Sequence, residues 1–235
     1  LEENLTIRSF PGEFPYIRGN KTDAKWDICQ VVCAKDFEKA NADALHAIER
    51  GATAIEFKLD FLQNDEDLYK LLKGIDILKV AVHFNGSYSY SILVELLKEY
   101  CEKYKIQTKE VKGSFNFDSF SYYLLKGEYY NSCDDNLNEL KCLIELADEV
   151  FPNMKILSIN AQYFHNAGSG IVQELAFAAA SAHEYLVSLL KRGAKAEKIL
   201  PKIRFIFATG SSYFAEIAKL RAFRMLWSQI ASEYV

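Results

Sequence analysis

The stretch Lys155–Leu190, KILSINAQYFHNAGSGIVQELAFAAASAHEYLVSLL, decides the fold. Its opening ILSIN is apolar and partly β-branched, and Pro152 and Asn153 precede it, so it reads as a strand. The run AQYFHNAGSG breaks the pattern with polar, aromatic and glycine residues and reads as a loop. A long Ala- and Leu-rich helix restarts near Ile171. In a strand–loop–helix unit the loop lies at the carboxyl end of the strand, where parallel α/β folds place their chemistry. Gln162, Tyr163, His165 and Asn166 therefore stand where a site would be.

The same alternation recurs on both sides. Strands are expected at Trp26–Val32, Ala54–Leu59, Lys79–Phe84, Gly113–Phe117 and Ile203–Thr209. Asp36 is expected to cap a helix with Phe37, Ala40, Ala44, Leu45 and Ile48 on one face and Gly51 as its stop. A short helix covers Leu68–Leu72. Ile92, Leu93, Leu96, Leu97 and Tyr100 form the inner face of another, and Leu137, Leu140, Ile144 and Ala147 that of a third. A last helix, capped by Ser211 or Ser212, runs to about Tyr234. Residues 1–25 lack periodicity and read as an extended arm whose Phe10, Phe14, Tyr16 and Ile17 need burial.

Alternating strands and helices mean parallel strands with right-handed crossovers. A doubly wound nucleotide binder would carry GxGxxG after its first strand; the first strand here leads into CAKDFEKA. The expected fold is therefore an α/β, TIM-type (β/α) barrel over residues 26–235. About six of the eight required units are present, and the chain, which starts with Leu, is expected to be a fragment.

Composition narrows the function. The 235 residues carry a net charge of −4 and are 50% hydrophobic, which argues against a nucleic-acid partner because that needs a basic face. No apolar run reaches the ~18 residues of a membrane span, and no secretory leader is recognisable at the start. Five cysteines without regular spacing suit reduced thiols in the cytoplasm and give no zinc pattern. Among the four histidines, His46 and His183 lie on helices and read as surface residues. His83 ends a strand and His165 follows one, so both are rim candidates for acid–base work. AGSG (167–170) and TGSS (209–212) precede helices, but each reads more simply as a tight turn than as a phosphate cradle. Lys58 and Lys79 stand poorly for the Schiff base of an aldolase.

Longer segments carry a resemblance. PYIRG and WDICQ near the start, NAGSGIVQELAFAAASAHEYL in the middle and FATGSSYFAEIAKLRAFRMLW at the end resemble the barrel domain of methylmalonyl-CoA mutases, cobalamin-dependent isomerases, in the same order. Catalytic members of that family carry a Tyr-His pair after the fifth strand; those positions are Gln162 and Tyr163 here. The family's Arg after the first-strand Trp is Cys29, its Gln-Asn pair on the fourth strand is Asn116-Phe117, and its catalytic Tyr near the start is Ile17. The cobalt-binding DxHxxG motif does not occur. The resemblance is thus to the small, non-catalytic subunit of the bacterial heterodimer. It implies no catalytic, substrate, cofactor or metal site in this chain and adenosylcobalamin in the partner, the large catalytic subunit. The alternative is an active acyl-CoA mutase-like barrel that uses His165 or His83.

Overall fold

The computed structural model describes residues 10–23, 25–60, 62, 64–86 and 90–235. Six strands form one all-parallel sheet in the order β1 to β6: β1 Cys29–Ala34, β2 Ala54–Leu59, β3 Ala81–Gly86, β4 Gly113–Phe117, β5 Met154–Asn160 and β6 Ile203–Ile206. The sheet is not closed, so β1 and β6 are its edges. This is the incomplete TIM-type barrel that the alternation predicts. The helices are α1 Phe37–Glu49, α2 Asp65–Leu72, α3 Tyr90–Lys103, α4 Ser119–Lys126, α5 Cys133–Val150, α6 Gln162–Asn166, α7 Ile171–Lys191, α8 Ala196–Ile199 and α9 Tyr213–Ser232.

The chain divides into two compact units. One holds Asp27–Ser158 and Ser188–Arg204; the other holds the segment up to Trp26 with Ile159–Val187 and Phe205–Val235. In the first unit the strand register sets the core. Phe57, Phe84 and Phe115 are directly paired across β2, β3 and β4, are buried, and stack with centroids 6.5 and 5.7 Å apart. Gly113 allows β4 to lie against β3: a Cβ there would sit 1.7 Å from the Val82 carbonyl oxygen, a place only glycine can occupy. Asp36 caps α1 by accepting from the Lys39 amide at 3.0 Å. Asn41, on the buried face of α1, donates to the carbonyls of Leu71 and Lys73 at 2.8 Å and so satisfies the end of α2. Lys202 does the same for α5, reaching the carbonyls of Ala147, Phe151 and Pro152 at 2.8–3.1 Å. A cation at a helix C-terminus complements the carbonyl dipoles. Burial pushes this ammonium down to about 8.

Several expected boundaries move, each for a local reason. β1 begins at Cys29, not Trp26, because the Ile28 amide goes to the Thr53 hydroxyl, 2.9 Å away. β3 begins at Ala81 because Lys79 and Val80 turn back to the Asp76 carbonyl at 3.0 and 2.9 Å. Ile92, expected inward, is 50% exposed, and Val94 takes the inner position.

The second unit gives four further corrections. The AQYFHNAGSG run contains α6, started by bonds from Phe164 and His165 to the Ala161 carbonyl. β6 stops at Ile206 because Ala208 directs both its amide and its carbonyl to side chains, Glu174 and Lys219. Ser212 occupies the cap of α9, but neither Ser211 nor Ser212 makes a side-chain cap bond there. The arm is a set of turns, not an extended run: Gly12 bonds back to Gly19 at 2.8 Å and Tyr16 to Glu13 at 2.7 Å. It is tied to α9, where Ser228 and Arg221 donate to the carbonyls of Pro15 and Ile17, each at 3.2 Å. Tyr16 and Ile17 are half-buried, yet Phe10 and Phe14 remain 65% and 58% exposed.

Candidate functional site

Side chains alternate along a strand, so the residues beside the phenylalanine ladder face the opposite way. Glu56, His83 and Ser114 are paired across β2, β3 and β4. Arg204 of β6 reaches all three. Its guanidinium donates to Ser114 Oγ at 2.7 Å and to His83 Nδ1 at 3.3 Å, and meets Glu56 Oε2 at 3.3 Å. Ser114 Oγ is 2.8 Å from His83 Nδ1, and Asn85 Nδ2 donates to Glu56 Oε1 at 3.0 Å. A guanidinium can only donate, so Nδ1 is the acceptor in this network and His83 carries its proton on Nε2.

The electrostatics follow from that packing. Burial and the adjacent Arg204 charge push His83 down to about 4, with Glu56 opposing. His83 is therefore neutral near pH 7. It lies within β3, third of its six residues, and does not end the strand. Cys29 keeps solvent-exposed surface, but desolvation and then the Glu56 charge push its thiol up to about 11 against the pull of Arg204. A neutral thiol is a poor nucleophile. Asn116 and Phe117 are buried at the end of β4; the Phe117 ring packs 5.7 Å from Tyr90, whose hydroxyl donates to the Asn116 carbonyl at 2.8 Å. Position 117 thus serves the core.

The other expected residues lie in the second unit. Gln162 and Tyr163 open α6, and Gln162 Nε2 donates to Asn160 Oδ1 at 3.0 Å. His165 stands in the last turn of α6 with Nδ1 3.7 Å from Glu174 Oε2. Glu174 and Glu216 both pair with the buried Lys219, at 2.9 and 2.6 Å. Burial pulls the Lys219 ammonium down, but the hydrogen bonds it donates to Glu216 and Glu174 outweigh it and hold it above the usual range. The same Lys219 bond, against a smaller desolvation cost, holds Glu216 below it. Of the two glycine-containing candidates, AGSG turns at Ala167 and Gly168, whereas TGSS is irregular with a bend at Ser211. In AGSG the Gly170 amide is taken by the Gln173 side chain at 3.0 Å. In TGSS a Cβ on Gly210 would meet Glu216 Oε1 at 3.2 Å, so a carboxylate fills the place a phosphate would need.

Arg204, Glu56, Ser114 and Lys219 were not singled out by sequence reasoning. A signal for the first three exists. Glu56-Phe57, His83-Phe84, Ser114-Phe115 and Arg204-Phe205 repeat a polar residue followed by Phe on four strands, which marks one polar and one aromatic face. Among the described residues no group of three His, Cys, Asp or Glu side chains could hold a metal ion, and no helix is long and apolar enough to cross a membrane.

Comparison with known proteins supplies the family. The profile described as methylmalonyl-CoA mutase matches residues 62–235. The chain belongs to the methylmalonyl-CoA mutase family. Among its relatives, the methylmalonyl-CoA mutase small subunit of Porphyromonas gingivalis is 32% identical, over 100% of this chain and 38% of the relative. The small subunit of Streptomyces virginiae is 30% identical over 98% of this chain and 40% of its own length. The methylmalonyl-CoA mutase of Cereibacter sphaeroides is 25% identical over 97% and 36%. The chain thus spans about two fifths of the length of the curated relatives it matches. Both small-subunit relatives exceed the identity of the third, so within the mutase family the resemblance leans to that branch.

Proposed function

We propose that this chain is a barrel-domain portion of the small, non-catalytic subunit of a cobalamin-dependent methylmalonyl-CoA mutase. It supports a large catalytic subunit that interconverts methylmalonyl-CoA and succinyl-CoA, in a cytoplasmic heterodimer. In this reading the chain itself binds neither substrate nor cofactor, and adenosylcobalamin belongs to the partner.

The observation that carries the reading is the self-satisfied network around Arg204. Active sites present convergent polar groups with free valences toward a reacting atom. Here Arg204, Ser114, Glu56 and Asn85 bond one another, and His83 is held neutral with Nδ1 occupied. The positions that would work on the thioester carry Gln162 and Tyr163, and the first-strand cation is the neutral thiol of Cys29. A phenol with a pKa near ~10 is a weaker acid than an imidazolium near ~6.5. The alternative, catalysis by His165 or His83, has less support: His83 lacks a free proton-accepting nitrogen, and His165 faces the already paired Glu174–Lys219 bridge.

Titration calorimetry of the purified chain with methylmalonyl-CoA and with adenosylcobalamin tests this. No binding at micromolar concentration and no turnover are expected. Micromolar binding of either ligand, or isomerisation without a partner, overturns the non-catalytic assignment.

A further inference from the structure

The arm carries a surface that the other described residues leave uncovered. Trp26 is 76% exposed and Phe10 65%, although large aromatic side chains gain most from burial. Trp26, with Arg18, Lys21, Lys25 and Arg224, lines an open cavity of about 430 Å³. Four cations face the one carboxylate of Asp23 there, in a chain whose net charge is −4. The arm is also fixed in place, since α9 holds the carbonyls of Pro15 and Ile17. An ordered surface loses little freedom when it binds.

An exposed aromatic centre within an Arg-rich rim is the composition of a protein–protein contact, where Trp and Arg supply most of the energy. A small anion fits the observations less well. Arg18, Lys21 and Lys25 all remain exposed, and Lys21 spends a bond on the Lys25 carbonyl at 3.4 Å. Cations left in water steer and select a charged surface more than they hold a small ion. Charge complementarity therefore specifies an acidic face with an apolar centre.

We propose that Trp26, ringed by Arg18, Lys21, Lys25 and Arg224, forms a docking surface for an acidic face of the large subunit. This rests on the heterodimer reading above. It adds where the partner sits and what chemistry it presents.

The test is calorimetric association of this chain with the purified large subunit, at 50 and 300 mM NaCl. Trp26→Ala and the pair Lys21→Glu/Lys25→Glu change exposed side chains, so both variants should keep the parent circular dichroism and melting temperature. We expect each to weaken association at least tenfold, and the charge reversal to flatten the salt dependence. Binding of both variants within twofold of the parent, with the same salt response, overturns the docking surface while leaving the heterodimer intact. If the parent chain itself fails to bind, the heterodimer reading falls and this inference with it. Pyrophosphate that shifts the Trp26 fluorescence without competing with the large subunit also overturns it, because the cavity would then serve a small anion.

Discussion

The guanidinium of Arg204 lies 3.3 Å from the Glu56 carboxylate, although 148 residues separate the two in the chain. The pair is largely shielded, with side-chain exposures of 24% and 11%. Removing one partner leaves the other charge desolvated and unpaired, which costs more than the pair's net worth. Arg204→Met should lower stability by about 2–3 kcal/mol. Arg204→Met with Glu56→Gln should lower it by less than the sum of the single changes. Urea unfolding of the four proteins in this cycle checks both; additive losses would mean that the ion pair contributes nothing of its own.

The state of His83 sets a pH dependence. Its folded value of about 4 lies below its ordinary 6.5, so between these values the unfolded chain binds the extra proton. Stability should therefore be full above pH 6.5 and fall as the pH drops toward 4, by about 2 kcal/mol after allowance for partial exposure. A His83→Gln variant, unable to titrate, should lose that component. Parallel unfolding curves at pH 7 and 4.5 measure the difference, and an equal pH response in both proteins would refute it.

Gly113 has no tolerated replacement. Its φ of +149° and the Val82 carbonyl at 1.7 Å from a would-be Cβ require β4 to move away from β3. Gly113→Ala should cost more than about 3 kcal/mol, as strain and lost ladder bonds combine. Thermal unfolding would show it; a melting temperature within a degree or two of the parent would contradict the close approach.

The open edges at β1 and β6 present unpaired backbone groups, and uncovered edges recruit other strands. At β1 and the residue just before it the exposure extends to apolar side chains, with Val31 45% and Ile28 57% exposed. The isolated chain should self-associate as concentration rises. Light scattering across a concentration series would reveal it, and a stable monomer at high concentration would count against the prediction.

The sequence alone determined the class of the fold. Ile, Val, Leu and Phe concentrated in short runs, alternating with helical periodicity, leave parallel strands with crossovers as the consistent packing. The count of six units against a barrel's eight followed from the same pattern. The cap at Asp36 acts locally and is legible in a few residues. Strand ends were less legible. Thr53 and Glu174 capture backbone groups of residues distant in the chain, Ile28 and Ala208, and those captures are tertiary; the Asp76 carbonyl turns Lys79 and Val80 locally. The candidate site shows the same division. Gln162, Tyr163, Cys29, Asn116 and Phe117 could be placed from the resemblance, whereas the role of His83 could not. Its neutrality rests first on burial and then on the charge of Arg204, 121 positions further on, and only the folded sheet brings the two together. The exposed arm aromatics are the converse case: the sequence expects Phe10 and Phe14 to be buried, and the described residues leave both exposed.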